Sequence, residues 1–256
     1  MTGRYGASVS KYCFVLPTKR SCTFLRQYFS DAIANMFGQA DDAPDMPQIT
    51  TISELTDTLS GASKGTRLEL LFSLYEAWRS LKGDDTDFER FKTWGETIMS
   101  DYNEVDLYCV DASELFQNLS RHNEIRTDYL TPEQRDIISR YFGITHPENE
   151  VKRFWEHFNK GKDKKVAQER FLSLWEMLYP LYAKYNELLE KRNKTYPGRA
   201  YRLACERIEE YGRRLLPYNK VVIAGFNALS RVERKLFKLI SNLRSPDGGS
   251  LAEFFW

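Results

Sequence analysis

The sequence predicts an α/β fold in which a small parallel sheet is interrupted by a large all-α insertion. Two short apolar runs rich in β-formers, Lys11-Tyr-Cys-Phe-Val-Leu16 and Lys220-Val-Val-Ile-Ala-Gly225, stand near opposite ends of the 256-residue chain. Each passes through a short loop into an amphipathic segment, the pattern of buried parallel strands alternating with helices. Between them the periodicity is almost wholly helical. The expected organisation is 1–62 as the first part of an α/β domain, 63–195 as the helical insertion and 196–256 as the second part of the α/β domain.

The first strand exits through Pro17-Thr-Lys-Arg20 into an amphipathic helix that continues to Phe37. Gln48-Ile-Thr-Thr-Ile52 is a weaker strand leading into a helix at Ser53. Thr66 and Glu69 form a capping box, after which Leu71, Leu74, Tyr75, Trp78 and Leu81 repeat at helical spacing until Gly83. A second helix places Phe88, Phe91, Trp94, Ile98 and Tyr102 on one face, and a third covers Ala112 to Leu119. The acidic stretch Asp101-Tyr-Asn-Glu-Val-Asp106 between them reads as a turn-like link.

Thr131-Pro132-Glu-Gln134 starts another helix that stops at Gly143. A longer one spans about Lys165 to Arg192, with Pro180 expected to kink or split it. Pro197 opens a helix carrying Tyr201, Ala204, Ile208, Tyr211 and Leu215 on one side. After the second apolar strand, Ser230 and Glu233 cap a helix with Val232, Leu236, Leu239, Ile240 and Leu243 inward. Leu251-Ala-Glu-Phe-Phe-Trp256 follows the Pro246-Asp-Gly-Gly249 turn and resembles the first half of a further strand. The chain is therefore expected to be the front of something longer, or to pack its C-terminus against a partner.

Composition narrows the classes of function. A net charge of +1 supplies no global field toward nucleic acid or membrane, so any such binding must come from a local patch. Cys13, Cys22, Cys109 and Cys205 show no CxxC spacing, which fits reduced thiols and a cytoplasmic setting. Met1 to Ser10 is polar, so no signal peptide is expected, and no apolar run approaches bilayer-spanning length.

Known catalytic patterns find little support. A phosphate-cradling loop needs GxxxxGK[ST] between strand and helix. The nearest string, Gly61-Ala-Ser-Lys-Gly-Thr66, has the wrong spacing and reads as a surface linker. The strand ending at Gly225-Phe-Asn227 offers no carboxylate where a nucleotide hydrolase would hold Mg²⁺. His122, His146 and His157 lack metal-ligand spacing, and Asp84 with Asp85, or Asp101 with Asp106, lack a clustered third ligand. Trp78, Trp94 and Trp175 lie on apolar helix faces and read as core, and Lys160-Gly-Lys-Asp-Lys-Lys165 reads as a solvated linker. No catalytic residue, metal site or cofactor is expected in this segment.

The feature with the most chemical content is Thr18 to Ser21. The first turn of a helix carries partial positive charge and normally favours acids, yet Lys19 and Arg20 stand there behind a Thr18 cap. Helix N–H groups together with two cations would seat a phosphate of a nucleic-acid backbone; the alternative is that both side chains simply point into water.

Phe14-Val-Leu-Pro-Thr-Lys-Arg20 followed by Phe24-Leu-Arg26 resembles the early strand and loop of the B subunit of bacterial ATP-dependent helicase/nuclease complexes. This is the AddB-like group with a PD-(D/E)xK nuclease, in its Bacteroidetes-type form. In order along the chain, further matches are Ile49-Thr-Thr-Ile52 with Glu54-Leu55, Trp94 with Ser100-Asp-Tyr-Asn-Glu-Val-Asp106, and Tyr196-Pro-Gly198 with Tyr201. The last is Val221-Val-Ile-Ala-Gly-Phe-Asn-Ala-Leu229 with Glu233.

The resemblance implies a superfamily 1 helicase-like (P-loop NTPase-like) sheet in the front part of a DNA double-strand-break resection subunit. It implies that Thr18, Lys19, Arg20 and Ser21 touch single-stranded DNA. Gly225, Phe226, Asn227 and Glu233 would be the degenerate counterpart of the acidic helicase motif. Implied partners are single-stranded DNA and an AddA-like helicase/nuclease motor subunit, with no membrane. The leading expectation is a non-catalytic module that positions single-stranded DNA. The alternative is a helical scaffold that docks the motor subunit without touching DNA, and intrinsic ATPase or nuclease activity ranks last.

Overall fold

A computed structural model describes residues 6–37, 45–83, 87–121 and 164–255. The expected helix 131–143, the three histidines, and Asp84 with Asp85 lie outside these residues. The chain divides into two compact units, Met1–Val110 with Tyr185–Trp256, and Asp111–Lys184.

In chain order the elements are β1 (Tyr12–Leu16), α1 (Lys19–Phe37), β2 (Gln48–Thr51), α2 (Ile52–Ser60), β3 (Ser63–Lys64), α3 (Arg67–Lys82) and α4 (Phe88–Leu107). They continue with α5 (Ala112–Arg121), α6 (Lys164–Lys191), β4 (Lys194–Thr195), α7 (Pro197–Tyr211), β5 (Lys220–Ala224), α8 (Arg231–Asn242) and β6 (Ala252–Phe255). The fold is α/β with a small parallel sheet. Its strand order is β2-β1-β5-β6, and the three pairings are all parallel. The two apolar runs of the sequence lie side by side, with Cys13 opposite Val221 and Val15 opposite Ile223.

Strand alternation sends successive side chains to opposite faces, and here both faces are covered. Cys13, Val15, Val221, Ile223 and Ala252 join a core with residues of α2, α7 and α8. Phe14, Leu16, Ile49 and Val222 pack instead with Cys22 and Phe29 of α1. The Phe14 and Phe29 ring centroids are 5.1 Å apart. Two buried faces are the reason the strands read as continuous apolar runs rather than as polar–apolar alternation.

Local signals set most helix boundaries. Capping boxes start α2 at Thr51 and Glu54, α3 at Thr66 and Glu69, and α8 at Ser230 and Glu233. Gly61 and Gly83 close α2 and α3 in the left-handed conformation. In the second unit, the Asp111 carboxylate accepts from the N–H groups of Ser113 and Glu114 and so caps α5. Helix α6 continues through Pro180 and is not split there.

Two expectations are corrected. The Gly61–Thr66 string is not a bare linker: Ser63 and Lys64 form β3, which pairs in parallel with β4 with Ser63 opposite Lys194, and the Gly65 N–H donates to the Thr195 carbonyl at 2.9 Å. Asp101 to Asp106 is not a turn but the last stretch of α4. Tyr102, Val105 and Asp106 are buried there, continuing the inward face of the helix.

Asp106 can be buried because α7 arrives with its partners. Its Oδ1 lies 2.5 Å from Arg202 Nε, and the Tyr196 hydroxyl donates to its Oδ2 at 2.6 Å. The Nε contact lacks hydrogen-bond alignment and is held by charge. Arg202 Nη2 donates to the carbonyls of Val105 and Val110. The Gly198 N–H donates to Asn103 Oδ1 at 2.8 Å, and a Cβ on Gly198 would sit 2.4 Å from the Asn103 carbonyl oxygen. Stretch 103–110 and stretch 196–202 are thereby locked together. Two sequence motifs singled out separately prove to be the two halves of one structural clamp.

Candidate functional site at the carboxyl edge of the sheet

After β1 the chain moves to one side to form β2, then returns past β1 to form β5 and β6. The direction of travel reverses between β1 and β5. In open parallel sheets the loops leaving the strand ends at such a reversal part in opposite directions and open a crevice where ligands bind. The loops concerned here are Pro17–Thr18 and Gly225–Asn227. They are adjacent: the position of a Cβ on Gly225 lies 3.9 Å from Pro17 Cδ. Gly225 has φ +76°, a conformation that side chains of L-residues rarely adopt, and it lets the chain turn sharply out of β5.

On the β1 side, Thr18 caps α1. Its Oγ1 accepts from the Ser21 N–H at 3.1 Å and lies 2.8 Å from the Ser21 hydroxyl, while its carbonyl accepts from the Cys22 N–H at 3.1 Å. No acid stands in the first turn of the helix. The Lys19 side chain is 87% exposed, and the Arg20 guanidinium stands 5.7 Å from the centroid of the Phe24 ring.

A carboxylate also occupies this edge. Glu54 Oε1 lies 4.0 Å from Lys19 Nζ. The Glu54 carboxylate accepts from the Thr51 N–H at 3.0 Å and the Thr50 hydroxyl at 3.2 Å, and its own N–H donates to Thr51 Oγ1. The Thr51 N–H bond is the main reason that its pKa falls below the ordinary 4.5, with the hydroxyl bonds and Lys19 adding to it against a partial burial penalty. Glu54 therefore stays ionised at neutral pH and offsets part of the charge of Lys19.

On the β5 side the four singled-out residues separate. Gly225 and Asn227 are exposed at the edge. Phe226 turns into the core, 7% exposed, with its ring 5.3 Å from that of Phe237. Glu233 belongs to the cap of α8, where it accepts from the Ser230 N–H and hydroxyl and from the Tyr201 hydroxyl. Thr18, Lys19, Arg20 and Ser21 thus share the edge with Gly225 and Asn227, while Phe226 and Glu233 support the fold around it.

Sequence reasoning neither assigned Glu54 to this edge nor read the Thr51/Glu54 capping box that the structure shows. It also passed over Phe24 and Tyr28 of α1 as site residues, whose exposure of 61% and 62% only the packing of the helix reveals. Trp78 is buried among the rings of α3 and α4, near Phe91 and Trp94, as the apolar-face reading expects. Among the described residues no group of three His, Cys, Asp or Glu could hold a metal ion, and no helix is long and apolar enough to cross a membrane. No protein-family model matches the chain, and no curated protein matches it.

Proposed function

We propose that this chain is a non-catalytic, helicase-like module of a DNA double-strand-break resection complex, resembling the front part of an AddB-like subunit, and that it positions single-stranded DNA for a motor partner. The observation that supports the reading best is the meeting of Pro17–Ser21 with Gly225–Asn227 at the reversal point of the parallel sheet. A phosphate set against the first turn of α1 would meet outward N–H groups of Lys19 and Arg20, the Thr18–Ser21 hydroxyls and two cations. The β5 exit supplies no carboxylate for Mg²⁺, which favours holding a strand over hydrolysing a nucleotide.

Titration of fluorescent oligo-dT against salt tests the proposal. The double variant Lys19→Ala/Arg20→Ala should bind all sequences more weakly and flatten the salt dependence by about one unit per lost contact. Unchanged titrations would remove the patch. A second reading, a scaffold that docks an AddA-like motor subunit without DNA contact, draws on Leu68 and Phe72 of α3. These lie one turn apart, 58% and 47% exposed, and Phe72 stacks on Phe88 at 4.5 Å. Capture of the motor subunit by a chain with no affinity for oligo-dT would select it.

A further inference from the structure

We infer that the outer face of α1 is a stacking track for two bases of the strand whose phosphates lie at Thr18–Ser21; the inference rests on the DNA-positioning reading above. Arg20, Phe24 and Tyr28 are spaced by four residues and so form one stripe, with each step advancing about 6 Å along the axis. The inward face of the same helix is fully supplied by Cys22, Phe29 and the partly buried Leu25. Phe24 and Tyr28 therefore add nothing to the core, yet they are 61% and 62% exposed.

The chemistry of the stripe selects its occupant. A helix face that docks in a groove of another protein presents a continuous row of apolar anchors at i, i+3, i+4 and i+7. Here the two rings stand among Thr23, Gln27, Ser30 and Asp31, so flat π-faces are offered on a polar surface. Bases stack on such rings without sequence preference, and a guanidinium at the head of the stripe adds cation–π attraction. Arg20 stands over Phe24 and next to the capped turn, so one end of the track is cationic where phosphates would lie. Charge and ring geometry together fit a single strand running from the turn along the helix.

The test compares oligo-dT with an abasic strand of equal length, by fluorescence anisotropy at low salt on the full chain. Wild type should bind the base-bearing strand more tightly, by about tenfold for each ring engaged. Phe24→Ala/Tyr28→Ala should abolish that difference while leaving abasic affinity unchanged, whereas Lys19→Ala/Arg20→Ala should lower affinity for both strands. Phe24→Trp should keep the preference for bases and show tryptophan quenching with oligo-dT but not with the abasic strand. If Phe24→Ala/Tyr28→Ala binds oligo-dT as wild type does, the track is overturned and the phosphate site stands. If wild type binds neither strand, both fall.

Discussion

Replacing Asp106 by Asn tests the physical account of the clamp between α4 and α7. The substitution keeps the volume and an acceptor for the Tyr196 hydroxyl, and it removes only the charge that faces Arg202. Asp106 is fully buried and the Arg202 side chain is 23% exposed, so the guanidinium would be left without a counter-ion in a largely dry site. Removing one partner of a buried pair costs about 3–5 kcal/mol. Arg202 retains the carbonyls of Val105 and Val110 and a partial path to water, which lowers the expected loss to about 2–4 kcal/mol. Urea unfolding followed by tryptophan fluorescence would measure it, since Trp78 and Trp94 lie in the same unit as the clamp. Adding Arg202→Met removes the orphaned cation, so the double variant should lose less than the sum of the single losses by at least about 1.5 kcal/mol. A loss below about 1 kcal/mol for Asp106→Asn, or simple additivity, would refute the reasoning.

Glu54→Gln preserves an acceptor for the capping box while deleting the carboxylate beside Lys19, so affinity for oligo-dT should rise about two- to threefold; a fall would count against phosphate contact at Lys19. The same variant carries a pH signature. A carboxyl whose folded pKa is depressed contributes stability that is complete above its unfolded value and is lost as pH falls through the folded one. Stability of wild type relative to Glu54→Gln should therefore decline below about pH 4.5, and a constant gap between the two in acid would contradict the hydrogen-bond account. Burial pushes the thiols of Cys13 and Cys205 up to about 12 and also raises that of Cys22, whereas Cys109 is exposed. A disulfide reagent near about pH 8 should modify one thiol quickly in the native chain and all four after unfolding, and a second fast thiol would show that the core opens.

Legibility followed the range of the interaction concerned. Thr66 with Glu69 and Ser230 with Glu233 set helix starts through contacts three residues apart, and the sequence shows them directly. The Asp101–Asp106 stretch was misread because acids near a helix end are usually solvated, and Arg202, 96 residues onward, cannot be paired with Asp106 by inspecting either neighbourhood. The β3–β4 pair escaped notice for a similar reason: two residues per strand leave no periodicity to detect.

The candidate edge was half legible. Thr18 to Ser21 stood out because Lys19 and Arg20 oppose the usual charge preference of a first helical turn. Glu54 entered only through the pairing of β2 beside β1, which brings its capping carboxylate to within 4.0 Å of Lys19. Phe24 and Tyr28 could be seen as exposed only once Cys22 and Phe29 were found to supply the inward face of α1.

By itself the amino-acid sequence determined most of the segments that become strands and helices and where many of them start, because caps and periodic burial act between near neighbours on the chain. Tertiary structure decided the strand order, the meeting of Pro17 with Gly225, and the partner of Asp106. Those depend on which faces the crossover helices bury against the sheet, and that is a property of the packed whole that no local stretch encodes.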